Sequence, residues 1–476
     1  MEAAAAPAAP VPDQGGSRWA AAKTARRGDC DESAADFISR VPDAVLCTII
    51  SLLPTKDGGR TQVFSRRWRP LWSAAPLNLE VRTPYPGPGV PARTSSVAPD
   101  VVPKVISQHP GPARRFCFHD LRPGDLHDQA ESWFRSRALA NLEELNVGYK
   151  VHGEKELEEL ILARISLPPS AFRSASTLLV AKIGHCDLPR EMMPSMGFDL
   201  LERLSLISVS ISADVFRGLL SACRALKSLH LSEVRGARCL HVRSPTLRSI
   251  CFRDTSGEVE LVIEDAPRLV RLLMPFSCRD DCGTLRVVAA PKLEILGPLL
   301  PVFSKLLVSQ GISSAGLANS MHSVKILALR CSGYELDGVL NILRRFPCLE
   351  KLYVVFHKHK EMDKKIEPQY DRLHPIECLQ THLKTVVFET FVGHDKQLEF
   401  AKFFVLNAKV LNKIEFEGFY GAYNSVSLAY QHKLLRVEDR ASRDAQFEFM
   451  NRHRDTGNHL KKHIHDLSVA DPFEQP

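Results

Sequence analysis

The sequence has no run of 18 apolar residues. Its most apolar stretch, Ile295–Ser309, is broken by Gly297, Pro298, Pro301 and Lys305, so a membrane span is not expected. Aromatic residues are scarce, at 7%, against 44% hydrophobic residues in all. The apolar share is therefore mostly aliphatic, as a core of stacked Leu, Ile and Val rows requires. A large excess of one charge is also missing: the net charge is +7 over 476 residues. The clearest basic clusters, His357–Lys365 and Asn451–His465, are interrupted by acids or polar residues. They read as solvated loops and a tail, with nuclear import or phosphate contact as the competing role, and nucleic-acid binding is not expected.

The familiar marks of catalysis are missing too. No Walker-type loop, GxGxxG, HExxH or GxSxG elbow stands in a convincing context, so no catalytic residue is assigned. The 12 cysteines are scattered; Cys278 and Cys282 form a C-x3-C pair, but no second pair follows at zinc-finger spacing. No metal or cofactor is expected. Cys186, Cys223, Cys239, Cys251 and Cys348 lie in apolar runs and read as small buried hydrophobes. With no secretory signal, this usage points to a reducing compartment, nucleus and/or cytoplasm, and against secretion. His459, His463 and His465 read as a solvated tail rather than a metal site. Glu154, Glu156, Glu158 and Glu159, around Lys155, read as the surface of an exposed helix.

What is present begins after an Ala- and Pro-rich leader, residues 1–35, which reads as disordered, a transit peptide being the competing reading. Val41-Pro42-Asp43 has the form of a helix start. Val45, Leu46, Ile49, Ile50 and Leu53 then recur at helical spacing until Pro54. Thr55 is the expected N-cap of a second helix. A third, from about Ser65, carries Trp68, Leu71 and Trp72 at i, i+3 and i+4 and ends at Pro76. Three helices in some forty residues make a very small core with many large apolar side chains. Such a unit calls for a partner that covers part of it.

Proline then interrupts the chain from Pro84 to Pro112, and Pro84–Pro99 reads as a loop or linker. A strand is expected at Arg115–His119 and a short helix around Ala130–Leu139. From Leu142 one pattern recurs: apolar, two others, apolar, one other, apolar. It stands at Leu142-Leu145-Val147, Leu201-Leu204-Leu206, Leu226-Leu229-Leu231, Leu247-Ile250-Phe252 and Leu269-Leu272-Met274. It returns at Val324-Leu327-Leu329, Leu349-Leu352-Val354, Leu383-Val386-Phe388 and Leu411-Ile414-Phe416, with weaker copies from Leu178 and Leu293. The last two positions share one side of a short strand, and a single unit cannot bury its apolar row, whereas stacked units can. Asp214–Leu226 and Leu336–Phe346 read as helices between strands. Strand then helix, repeated, places parallel strands on one face and helices outside. About ten strands at roughly 4.8 Å spacing give a face on the order of 50 Å long, which suits a protein partner. A doubly wound sheet is the competing fold. A possible helix near Ala441–Asn451 and a disordered end close the chain.

Three resemblances sit on these residues. Asp36–Glu80 (DFISRVPDAVLCTIISLLPTKDGGRTQVFSRRWRPLWSAAPLNLE) resembles the F-box of plant proteins in its Pro-Asp start, its LLPTKD junction, its Ser-Arg-Arg-Trp-Arg segment and its closing Leu-Trp. Gly58-Gly59 departs from the family, which usually has Ala or Val there; each glycine costs about 1 kcal/mol in a helix interior. The repeats resemble leucine-rich repeats. Ile376–Gly418 resembles the FBD module, with Glu377-Cys378-Leu379 leading to His382-Leu383-Lys384, the Phe391-x-Gly393 turn, Leu398-Glu399-Phe400 and Asn407-Ala408. Its Leu398, Phe400, Ala401, Phe403 and Phe404 are expected to bury against the solenoid end.

Together these imply an α/β chain: a small N-terminal three-helix F-box, then an irregular leucine-rich-repeat solenoid capped by an FBD-type strand–helix–strand unit. The expected division is leader 1–35, F-box 36–80, Pro-rich linker and lead-in 81–130, repeats 131–375, FBD-like cap 376–450 and basic, His-rich tail 451–476. The resemblance implies a non-catalytic substrate receptor of a cullin-based (SCF-type) ubiquitin ligase. It would bind a Skp1-like adaptor, and through it a cullin, by Val41, Pro42, Val45, Leu46, Ile49, Leu53, Trp68 and Trp72, with Leu46 and Trp68 equally suited to internal packing. The repeats would hold an unknown protein substrate. The alternative is a repeat scaffold with a degenerate F-box, acting outside any ligase.

Overall fold

A computed structural model describes residues 37–82, 96–121, 123–149, 166–188, 197–275, 284–301, 306–308, 320–357, 375–418, 425–451 and 464–474. The leader, most of Pro84–Pro99, the glutamates near Lys155, Cys278 and Cys282, most of both basic clusters, and His459 and His463 lie outside these residues. The chain divides into two units, Met1–Leu46 and Cys47–Pro476. The division falls inside the helix Asp43–Leu52.

In the first unit a short helix, Phe37–Arg40, precedes Pro42. The amides of Val45 and Leu46 donate to the Pro42 carbonyl at 3.0 and 3.1 Å, so proline and the following acid open the helix as the sequence implies.

In the second unit the helices Thr55–Arg60 and Trp68–Ala74 flank the 3-10 turn Thr61–Val63. Pro54, not Thr55, stands at the N-cap position of the first of these. Thr55 instead turns its hydroxyl to the Asn78 carbonyl at 2.7 Å, and Asn78 Nδ2 donates back to the carbonyls of Ser51 and Leu53 at 2.5 and 2.9 Å. Asn78 thus satisfies helix-end carbonyls that have no partner within the helix.

Asn78 lies in the first strand of a fourteen-stranded sheet. Its strands, in spatial and sequence order, are Leu77–Val81, Ala113–Leu121, Glu144–Tyr149, Val180–Gly184, Arg203–Ile207, Ser228–Ser232 and Ser249–Arg253. Arg271–Leu273, Ile295–Leu299, Ile326–Cys331, Lys351–Phe356, Thr385–Glu389, Lys413–Gly418 and Gln446–Asn451 complete it. Neighbouring strands are parallel and held in register by one apolar row. Leu204 faces Leu229, followed by Ile250, Leu272, Leu296, Leu327, Leu352, Val386 and Ile414. None of these nine is more than 1% exposed, because each is covered by the next unit's residue. The sheet exceeds the expected repeats at both ends: Leu77–Val81 precedes them, and Gln446–Asn451 follows. That last strand replaces the helix expected near Ala441–Asn451, since Phe447 and Phe449 alternate and pair with Ile414 and Phe416.

Helices do lie between strands at Ala213–Ala222, capped by the Ser212 hydroxyl accepting from the Val215 amide, and at Leu336–Leu343. Between Ser228 and Cys331, however, the outside is a second parallel sheet of Cys239–Arg243, Glu260–Asp265, Thr284–Val287 and Leu306–Val308. For the first two of these strands the reason is length. Leu226, Leu247 and Leu269 are separated by 21 and 22 residues, room for two short strands and their turns, whereas 25 residues separate Leu201 from Leu226 and hold a helix. Four of the strand exits, at His185, Ser208, Glu233 and Thr390, turn through left-handed backbone with φ 53° in each.

The cap is aromatic. Phe388 stacks on Phe356 and Phe416 at 5.9 and 5.2 Å and meets Phe400 and Phe404 edge-on. Phe416 stacks on Phe449 at 4.6 Å. Of the cap residues singled out by sequence, Leu398, Phe400, Ala401 and Phe404 are buried, and Phe403 is half-buried against the same core.

Candidate docking surfaces

Large apolar side chains rarely stay bare on a soluble protein unless something covers them. In the first unit Ile38 and Val45 are exposed, at 58% and 47%, Pro42 is exposed and Val41 half-buried. Leu46 is 1% exposed and serves packing rather than an open surface. In the second unit Ile49, Leu52, Val63 and Phe64 are exposed, and Leu53 and Trp68 are half-buried. Phe64 is 71% exposed and meets Trp68 edge-on at 5.4 Å. Ile38, Leu52, Val63 and Phe64 were not among the contact residues expected. The signal for the last two was an apolar pair set between Gln62 and Ser65, outside the periodic helix faces.

Trp72 is differently placed. Its indole lies on Gly58, meets the His109 ring at 4.9 Å and packs against the main core. Its carbonyl pairs with His109 Nε2 at 2.9 Å. Trp72 therefore joins the helical segment to the start of the sheet.

A second surface is the sheet face opposite the main apolar row. It is not bare. The end of the chain, expected to be a solvated tail, lies across it at Ile464–Glu474. Ile464 and Phe473 join Cys251, Leu273, Ile295, Ala328, Tyr353 and Val387 in a separate buried cluster. The hydroxyls of Ser228 and Ser249 donate to the Ile464 carbonyl, each at 3.3 Å. Arg271 spreads its guanidinium over the carbonyls of Asp466 and Val469 at 3.1 and 3.2 Å. Lys351 Nζ and the Tyr353 hydroxyl both reach Asp471 Oδ2 at 2.9 Å, and Phe473 packs on the Tyr353 ring at 5.5 Å. His465 sits between Ser205 and Ser228, with Nε2 and Nδ1 at 2.8 and 2.7 Å from their hydroxyl oxygens. A neutral imidazole donates to one of these hydroxyls and accepts from the other. Burial, then the charges of Arg203 and Lys182, hold this imidazole down at about 4.

Among the described residues no cluster of His, Cys, Asp and Glu is arranged to hold a metal ion, and no helix is long and apolar enough to cross a membrane. Cys186, Cys223 and Cys251 are buried, as expected. Cys239 and Cys348 are only half-buried, and each lies beside a histidine, His241 Nε2 at 3.2 Å and His322 Nδ1 at 3.8 Å. Burial pushes the thiols of Cys186, Cys223 and Cys378 up to about 12, far from thiolate chemistry.

Parallel strands stacked in register on one aliphatic row, with an aromatic strand–helix–strand unit near the end, define a leucine-rich-repeat protein. Residues 130–354 match the family model described as the LRR repeats of FBD-associated F-box protein At5g56370, and residues 371–416 match the FBD model. The chain belongs to the plant F-box/leucine-rich-repeat/FBD family. It is 25% identical over 412 residues to the putative FBD-associated F-box protein At3g50710 of Arabidopsis thaliana, spanning 80% of this chain and 92% of that protein. It is 25% identical over 399 residues to the F-box/FBD/LRR-repeat protein At5g56420 of the same plant, spanning 78% and 89%.

Proposed function

We propose that this chain is the substrate-recruiting F-box subunit of an SCF-type ubiquitin ligase. Its helical N-terminal segment docks a Skp1-like adaptor, and its repeats hold a protein substrate. The observation that carries this reading is the density of exposed large apolar side chains in a short helical segment: Val45 in the first unit, and Ile49, Leu52, Val63 and Phe64 in the second. In this reading Val41, Pro42, Leu53 and Trp68 complete the contact, while Leu46 and Trp72 hold the segment in shape. The chain contributes proximity alone. It raises the local concentration of substrate beside a ubiquitin-loaded enzyme, and needs no nucleophile of its own.

Gly58-Gly59 was the best support for a degenerate F-box on a free-standing scaffold. The fit of Trp72 onto Gly58 gives that glycine a packing role and so favours the ligase reading. The test is capture of the full chain by an immobilised Skp1-like adaptor. Wild type should be retained, and Ile49→Asp should be lost with its melting temperature unchanged. A wild-type chain that is not retained overturns the proposal.

A further inference from the structure

We propose that the sheet face under Ile464–Glu474 is a binding site for an extended acidic segment of the substrate, and that the chain's own end occupies it as a tethered competitor. This rests on the reading of the repeats as the substrate-holding part.

The site is laid out along a single register row. Ser228, Ser249, Arg271, Ile295, Ile326 and Lys351 are successive partners on neighbouring parallel strands. From Ser249 to Lys351 is four strand steps, about 19 Å. The seven residue steps from Ile464 to Asp471 reach at most about 25 Å when extended, so the segment crosses these strands with slack for one turn. That turn is at Asp466, whose carboxylate accepts from the amide and hydroxyl of Ser468 at 3.0 and 2.5 Å.

The polar contacts along the row fall into two kinds. Ser228, Ser249 and Arg271 read main-chain carbonyls, which any peptide offers. Lys351 and Tyr353 read one carboxylate and, two residues on, one aromatic ring. The charges match: Lys351 meets the carboxylates of Asp471 and Glu474 at 2.9 and 3.6 Å, and the Asp466 carboxylate lies within the field of Arg271. The face thus selects an extended peptide with a carboxylate two positions before an aromatic residue. Of the eleven ordered residues of the resident segment, Ile464 and Phe473 join the apolar cluster of the face, Asp471 and Pro472 are also buried, and the other seven stay at least partly exposed. Ordering those residues offsets much of that burial, which leaves the segment open to exchange.

The test uses the full chain and a fluorescein-labelled peptide of sequence IHDLSVADPFE, followed by anisotropy. An Asp471→Ala, Phe473→Ala chain, with its own end loosened, should bind the peptide at least tenfold more tightly than wild type does. Adding Lys351→Ala to that chain should remove the gain. Equal binding by both chains, or none by the loosened chain while its melting transition is intact, overturns the proposal. So does loss of that transition, since the segment would then be a fixed part of the fold. Adaptor capture measured on the same samples keeps the two readings apart. A chain retained by the adaptor but blind to the peptide sinks only this inference, and the reverse sinks only the ligase reading.

Discussion

Trp72 lies so close over Gly58 that a β-carbon there would stand 2.5 Å from its Cζ3 atom. At Gly59 the same construction meets the indole at 3.7 Å, an ordinary contact. Adjacent glycines that look alike in the sequence are therefore not equivalent. Gly58→Ala should destabilise the chain by about 1–3 kcal/mol through overpacking, even though alanine favours the helix by about 1 kcal/mol. Gly59→Ala should stabilise it by up to about 1 kcal/mol. Denaturant melts of the two variants decide it: a Gly58→Ala chain at least as stable as wild type means the indole does not rest there.

Phe64 is held on one side by Trp68 and otherwise open. Phe64→Ser should leave the melting temperature within about a degree, since a surface change away from the core is worth little. Capture by a Skp1-like adaptor should nonetheless fall tenfold or more. Unchanged capture would remove Phe64 from the docking surface.

Phe388 is fully buried and touches five other phenylalanines, Phe356, Phe391, Phe400, Phe404 and Phe416. Phe388→Ala should cost about 3–5 kcal/mol by opening a cavity in the cap. The loss should show as faster amide exchange in the strands Thr385–Glu389, Lys413–Gly418 and Gln446–Asn451 ahead of the first strands of the sheet. Exchange that speeds evenly along the whole sheet would contradict a locally stabilised cap.

His465 gives the docked chain end a pH dependence with a definite sign. Docked, the imidazole lies between the Ser205 and Ser228 hydroxyls, near the His230 ring and within the fields of Arg203 and Lys182. Its pKa falls there from 6.5 to about 4. Above 6.5 neither the docked nor the released imidazole carries a proton, and docking is unaffected. Between 6.5 and 4 the released form takes the proton first, so docking weakens as pH falls. The docking equilibrium should drop on the order of tenfold between pH 7 and pH 5. Titration of the His465 ring protons by NMR checks this, and a midpoint near 6.5 in the full chain would refute it.

Much of the repeat architecture was open to reading in one dimension. Leu204 and Leu206, Leu229 and Leu231, Leu352 and Val354 all lie in main-sheet strands and face the core, as the spacing required. The helices expected from Asp214 and Leu336 are present within a few residues. The second sheet was missed because Cys239–Arg243 and Glu260–Asp265 lie outside the recurring triplets. Leu77–Val81 was missed as a strand because a helical motif runs directly into it. Of the expected docking residues, Val45 and Ile49 are exposed, whereas Trp72 is turned inward by a glycine fourteen positions earlier.

The sequence by itself determined the period: side chains two apart on a strand share a face whatever surrounds them, and a row of aliphatic residues must be covered by the next. Only the tertiary structure decided which partner each surface received. It set Trp72 on Gly58, turned the outside of the middle repeats into a second sheet, and drew Ile464–Glu474 onto side chains that lie 118 to 260 residues earlier. Such pairings join distant parts of the chain through shape and unmatched charge, and a local pattern carries no record of what lies opposite it.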